Sequence, residues 1–169
     1  MSRSSPVIRG LHTRVKELYD VVMALIENRK ARFDFEMLER FEAGLELTGA
    51  EVKSLRNGQG SLDGAYVIVR GNEAYLVGMH IAPYQAKNTP DDYDPLRARR
   101  LLLSRKEIDV IASEEHQKGL TIVPESVYNK GRYIKVSIAV ARGKKKADKR
   151  ETLKKREADR DIQRAFRRE

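Results

Sequence analysis

The chain has 169 residues, 40% hydrophobic and 35% charged, with a net charge of +9 and no cysteine. That length holds one compact domain with appendages rather than two full domains. The missing cysteine excludes a disulfide framework, a thiolate metal site and a cysteine nucleophile, and it fits a reducing compartment.

The charge is unevenly placed. Residues 141–169 carry 13 basic and 6 acidic side chains, a net of +7, which leaves +2 for the first 140. Such a terminus points to a polyanion partner, most commonly RNA or DNA, and a solvated, solubilising tail is the competing reading. The longest apolar run, Val21–Ile26, is far short of the ~20 residues a bilayer-crossing helix needs. Lys16, Glu17 and Asp20 interrupt any signal-peptide core. The sequence therefore predicts a cytoplasmic protein with no membrane partner.

In chain order, Leu11, Val15, Leu18, Val22, Leu25 and Ile26 recur with the period of an amphipathic helix, and residues 1–27 are read as an N-terminal extension. Residues 33–47 alternate. Phe33, Phe35, Met37, Phe41, Ala43, Leu45 and Leu47 fall on one face with only Glu39 breaking the series, and Glu36, Arg40, Glu42 and Glu46 on the other, as in a long half-buried strand bent at Gly44. Thr48 and Glu51 form a capping box for a short helix that turns Val52 and Leu55 inward and Lys53 and Arg56 outward, and Gly58 ends it.

Ala65–Arg70 and Glu73–Val77 are strands joined by Gly71-Asn72, a hairpin signal, and His80–Pro83 is read as a further short strand. Residues 85–100 are a proline-punctuated loop ending in the basic cluster Arg97, Arg99 and Arg100. A second capping box, Ser104 with Glu107, opens a helix with Ile108, Ile111 and Ala112 inward, ended by Gly119. Leu120–Pro124 and Arg132–Val140 complete the domain as strands, with Ile134, Val136, Ile138 and Val140 facing in and Lys135 and Ser137 facing out. Short strands with glycine kinks and no βαβ series predict a mainly β fold with helices: a small oligonucleotide-binding-type (OB) barrel over residues 28–142 with inserted helices.

The tail, residues 143–169, has no proline. On a helix, Lys149, Arg150, Arg156, Arg160, Arg164, Arg167 and Arg168 share a sector of about 120°, with Glu157 the one acid inside it. Leu153 and Ile162 lie on opposite sides, so no apolar stripe holds the helix to the barrel. The expectation is a tail that becomes helical when phosphates neutralise its basic face.

Catalytic chemistry has no carrier in the sequence. His12, His80 and His116 sit in separate elements, and no phosphate-loop, zincin or nucleophile-elbow motif occurs. Asp91, Asp92 and Asp94 lack the glycine and closing glutamate of a calcium loop. No enzyme activity, metal or cofactor is expected.

The chain resembles the SmpB family, the SsrA-binding proteins of bacterial trans-translation. The resemblance rests on Asn28-Arg29-Lys30-Ala31-Arg32, Phe41-Glu42-Ala43-Gly44-Leu45, Gly49 to Arg56, Asp94-Pro95 with Arg97, Arg99 and Arg100, Leu101-Leu102-Leu103, Val123-Pro124, Gly131 with Lys135-Val136, and Ala141 to Lys145 before Asp148-Lys149-Arg150. The first 22 or so residues exceed the family's length, which makes Met23 an alternative start.

The resemblance implies a non-catalytic barrel, one copy per RNA, that grips the tRNA-like domain of transfer-messenger RNA (tmRNA) at Glu42, Leu102 and Lys135. It also implies that the tail enters the empty mRNA channel of a stalled ribosome and folds near the small-subunit decoding centre, through Gly143, Lys144, Lys145, Asp148, Lys149 and Arg150. Lys53, Arg56, Arg99 and Arg100 are expected to join the barrel set as basic groups, and Arg156, Arg160 and Arg164 the tail set. A general single-strand RNA-binding OB protein is the alternative; it would need aromatic stacking platforms in a chain with 7% aromatic residues and no Trp.

Overall fold

The computed structural model describes residues 24–145, 148–150, 153–154 and 157–158. Along them run β1 (Ala24–Glu27), α1 (Arg29–Asp34), β2 (Phe35–Leu45), α2 (Gly49–Arg56), β3 (Gly60–Ser61), β4 (Tyr66–Arg70), β5 (Glu73–Val77), β6 (His80–Ile81), β7 (Arg99–Leu102), α3 (Arg105–Glu115), β8 (Leu120–Lys130) and β9 (Tyr133–Gly143). Seven strands form one antiparallel sheet in the order β1-β8-β9-β2-β7-β5-β4, and β3 pairs with β6 apart from it. The sheet curls so that β4 lies alongside β8, but among the described residues no ladder joins those two strands. The fold is mainly β, a large antiparallel sheet with a few helices.

Local chemistry accounts for the elements that follow expectation. Both capping boxes form, Thr48 with Glu51 and Ser104 with Glu107, and each satisfies a donor at both ends of its helix's first turn. Gly71 (φ 56°) and Asn72 (φ 68°) take the two positive-φ places of the β4–β5 hairpin. The alternation on β9 holds: Ile134, Val136, Ile138 and Val140 enter the main core.

Three expectations are corrected. Leu25 and Ile26 do not continue a helix; they lie in β1, paired along β8, with Ile26 buried in the main core. The backbone donors and acceptors along β8 capture this segment, and tertiary pairing overrides the helical period. The rest of the expected N-terminal helix, Leu11 to Val22, lies outside the described residues.

Phe33 lies in the last turn of α1 rather than opening a strand, because the Asn28 side chain caps α1 through the Ala31 N–H (2.9 Å). The single apolar face of residues 33–47 is in fact two faces. The β2–β9 register slips between Met37 and Glu39, so Leu38 is an extra, bulged residue. Before it, Phe35 and Met37 pack with Ala31, Val123 and Ala141 under α1. After it, Phe41, Ala43 and Leu45 enter the main core. Gly44 itself stays in register between β9 and β7.

A second slip, between Pro124 and Ser126, makes Glu125 the extra residue of β8. Its carboxylate is nearly inaccessible and accepts two hydrogen bonds from Arg40 (2.6 and 3.2 Å). Asn28, also buried, ties this region together by donating to the Leu62 and Pro124 carbonyls (3.0 Å each).

The largest fully buried side chain is a charged one, Arg99. It donates to the Glu51 carboxylate (2.9 Å) and to the Met79, Arg97 and Pro95 carbonyls. Arg97 closes the other side of Glu51 (2.5 and 3.0 Å). Burial pushes the Glu51 carboxyl up, but hydrogen bonds from Arg97 and the Thr48 N–H and the charge of Arg99 outweigh it and hold it below the ordinary range. Stability from this lowered group is therefore present above the unfolded value, about 4.3, and is lost as pH falls through the folded value.

Arg99→Met strands a buried carboxylate that keeps only Arg97 and the Thr48 N–H. A loss of about 3 kcal/mol in urea unfolding is expected, and Glu51→Gln should flatten the acid limb of a stability–pH curve.

Candidate nucleic-acid interface

Because Ile134, Val136 and Ile138 of β9 point into the core, Lys135 and Ser137 point away from it. The pairings carry this outward face across the sheet. Ala24 of β1 opposes Tyr128 of β8, Tyr128 opposes Lys135 of β9, Lys135 opposes Gly44 of β2, and Gly44 opposes Leu102 of β7. α1 covers the outer face at the Gly143 end of β9. The Lys135 end carries the residues that follow.

Leu102 settles one question left open by sequence. It is not a core leucine: it is 53% exposed, while Leu101 beside it is buried. It lies over Gly44, where an added Cβ would stand 3.1 Å from the Leu102 Cβ. Next to it a groove of about 370 Å³ is lined by Leu45, Leu47, Val52, Tyr133 and Ile134, with Arg132 and Lys135 as its cations. Arg56 of α2 reaches the same rim by donating to the Arg132 carbonyl (3.2 Å).

Glu42 sits two residues from Gly44 on the outward face. Its carboxylate accepts from Tyr128 Oη (2.7 Å) and from Lys130 Nζ (2.8 and 3.0 Å), and Lys135 Nζ lies 4.0 Å away. Partial burial pushes its carboxyl up, and the Lys130 and Tyr128 hydrogen bonds with the two lysine charges bring it below the ordinary range. Glu42 is thus an ionised acceptor that organises three side chains as well as an expected RNA contact.

The structure separates the other expected barrel residues. Arg99 is corrected: it is enclosed with Glu51 and offers no surface to an RNA. Arg100 is at the surface, held between Glu46 (2.7 Å) and Glu73 (2.8 Å). Lys53 is exposed and lies over the Tyr84 ring at 5.6 Å.

In the tail set, Gly143 closes β9 opposite Phe35. Lys145 N–H donates to Asp148 (3.2 Å), and Lys149 pairs with Asp34 (2.7 Å). Lys144, Lys149 and Asp34 therefore give the root of the tail a polar attachment where no apolar stripe supplies one. Residues 148–150 have helical backbone, as do the described pairs 153–154 and 157–158. Arg150 is exposed; Arg156, Arg160 and Arg164 lie outside the described residues.

Sequence reasoning missed Tyr128, Lys130, Arg132 and Tyr133. Ending the strand at Pro124 hid Tyr128 and Lys130; Arg132 and Tyr133 fell within the expected Arg132–Val140 strand but were given no role. The signal was present in Tyr128, Lys130 and the turn glycine Gly131 (φ 61°). Among the described residues no three His, Cys, Asp or Glu side chains are grouped to hold a metal, and no helix is long and apolar enough to cross a membrane.

A family model described as SmpB protein matches residues 25–168. The chain belongs to the SmpB family. It is 51% identical over 144 residues to the SsrA-binding protein of Gloeothece citriformis, covering 85% of this chain and 93% of that one. It is 49% identical over 144 residues to the SsrA-binding protein of a Synechococcus species, with the same coverage. Among solved structures it is similar to a chain described under "tmRNA-SmpB: a journey to the center of the bacterial ribosome", with TM-score 0.61 and 45% identity over 71% of this chain and 84% of that one. Glu42, Leu102 and Lys135 lie on the outward face of this mainly β scaffold.

Gly44→Ala pushes a methyl group against Leu102 and should cost about 1 kcal/mol. Leu102→Ala, at a half-exposed position, should stay within about 0.5 kcal/mol of wild type. Thermal unfolding of the two variants checks both.

Proposed function

We propose that this SmpB-family chain binds the tRNA-like domain of tmRNA through the outward sheet face and delivers it to stalled ribosomes for trans-translation. The observation that carries this reading is the exposed Leu102 beside a cation-lined groove, with Glu42 holding Tyr128, Lys130 and Lys135 around it. An apolar side chain suits an unstacked base, the lysines suit phosphates, and the ionised Glu42 suits ribose hydroxyls or base amino groups. The relatives, named SsrA-binding proteins, and the tmRNA-SmpB structure support the choice of RNA.

In this reading the curled sheet is an OB-type barrel, β4 alongside β8 bringing its ends together. The barrel occupies residues 28–142 with β1 added at its edge. The tail, residues 143–169, enters the vacant mRNA channel near the decoding centre and forms its full helix there, as rRNA phosphates neutralise Lys144, Lys145, Lys149, Arg150, Arg156, Arg160 and Arg164. The protein acts as a cytoplasmic binding factor without a catalytic step, one copy per tmRNA.

Lys135→Ala should weaken binding to the tRNA-like RNA about tenfold, near 1.4 kcal/mol. The logarithmic salt slope should become shallower by up to roughly 0.9 for the lost phosphate contact. Truncation after Gly143 should leave that affinity within about twofold, yet abolish peptide tagging on stalled ribosomes. Equal loss of tmRNA binding in both variants overturns the two-part reading, and release of the tRNA-like RNA in favour of poly-U supports a general single-strand binder instead.

A further inference from the structure

The cations of the outward sheet face are not equally available to an RNA. Arg100 of β7 stands two residues from Leu102 and points the same way. β2 flanks it on one side, where the Glu46 N–H donates to the Arg100 carbonyl (3.0 Å). β5 flanks it on the other, where Tyr75 is its register partner. Each flanking strand brings a carboxylate to the guanidinium. Arg100 Nε donates to Glu46 (2.7 Å) and Nη1 to Glu73 (2.8 Å). The Tyr75 hydroxyl also donates to Glu73 (2.6 Å), so Glu73 is held from two sides. That hydrogen bond and Arg100 hold the Glu73 carboxyl below the ordinary range, which keeps it ionised at neutral pH.

A single exposed ion pair gives way to a competing phosphate, because such a pair contributes little. Arg100 has two carboxylates on it, and its side chain is 44% exposed. A phosphate that took the guanidinium would leave both acids beside its own negative charge. Arg70 of β4 is exposed and stands opposite Glu73 in the β4–β5 register. Together, Arg70, Arg100, Glu46 and Glu73 balance to zero.

On the other side of Leu102 the balance is positive. Lys130 and Lys135 share Glu42, and Arg132 and Lys135 line the groove. The attraction for phosphate therefore falls off across Leu102. Sequence-independent RNA binding depends on summed charge, so it loses by the withholding of one arginine. An RNA fixed by directed contacts at Lys135, Glu42 and Leu102 does not need that arginine. Discrimination of this kind comes from what the surface denies to the wrong partner.

We propose that Glu46 and Glu73 are specificity-determining residues of the RNA-binding face. They withhold Arg100 from phosphates, so that the sheet rejects RNA lacking the tRNA-like contacts around Leu102. The inference rests on the reading that this face binds the tRNA-like domain of tmRNA.

The test titrates the full chain with the isolated tRNA-like RNA and with poly-U at matched salt. Glu46→Gln with Glu73→Gln should tighten poly-U binding about tenfold and steepen its logarithmic salt slope by roughly 0.7 for the released arginine. Affinity for the tRNA-like RNA should change by no more than about threefold, so the preference for it narrows. Adding Arg100→Gln to the pair should remove the gain on poly-U. Asp91→Asn with Asp92→Asn, at two exposed loop carboxylates, makes the same change in net charge and should move poly-U binding by less than about threefold. An unchanged preference in the Glu46, Glu73 variant overturns the proposal while the tmRNA reading stands. A gain that survives Arg100→Gln, or an equal gain in the loop control, also overturns it, because the acids then act only through bulk charge. If the unaltered chain shows no preference for the tRNA-like RNA over poly-U, the tmRNA reading itself fails and this inference with it.

Discussion

A carboxylate with no access to water is tolerated only where charge and hydrogen bonds replace the water. Glu51 is such a group, and much of the molecule is arranged around it. The same carboxylate completes the cap of α2 through the Thr48 N–H, binds Arg97, and binds Arg99. Arg99 in turn takes the carbonyls of Met79, just before β6, and Pro95, in the long loop between β6 and β7. Because Arg99 points inward with Leu101, Arg100 and Leu102 point outward. The buried pair thus decides which leucine of the Leu101-Leu102-Leu103 run is exposed.

Two extra residues do comparable work on the sheet. A single inserted residue exchanges the faces of everything beyond it. Leu38 in β2 and Glu125 in β8 make that exchange on strands flanking β9. On one side of the slips, outward apolar residues Phe35, Met37, Val123 and Ala141 take α1 as a cover. On the other, the outward face is left to Glu42, Tyr128, Lys130, Lys135 and Leu102. One uncovered stretch and one covered by α1 result from a sheet that would otherwise have a uniform exterior.

What could be read from the sequence was local. Thr48 with Glu51, Ser104 with Glu107, and Gly71-Asn72 each need only a few residues to act, and each forms as expected. The inward series Ile134 to Val140 was legible because β9 has no slip of its own. The bulges were not legible, because a one-residue slip leaves the sequence alternation nearly intact and shows only in the pairing. Leu25 and Ile26 fit a helical period as well as a strand, and β8, about 100 residues later, decides between them. Arg99 looked like its neighbours in a basic cluster, although its spacing of two from the buried Leu101 placed it on the inner face. The expectation for Leu102 came from family resemblance; its spacing alone gave no reason to place it outside the core.

The central claim is that the outward sheet face around Lys135 serves the tRNA-like RNA while the tail serves the ribosome. Purifying the full chain from cells and sequencing the RNA that comes with it tests this most directly. The account predicts enrichment of tmRNA together with small-subunit rRNA, with Lys135→Ala losing the tmRNA and retaining rRNA. Recovery of mixed cellular RNA without tmRNA enrichment, or loss of both RNAs together in Lys135→Ala, would contradict it.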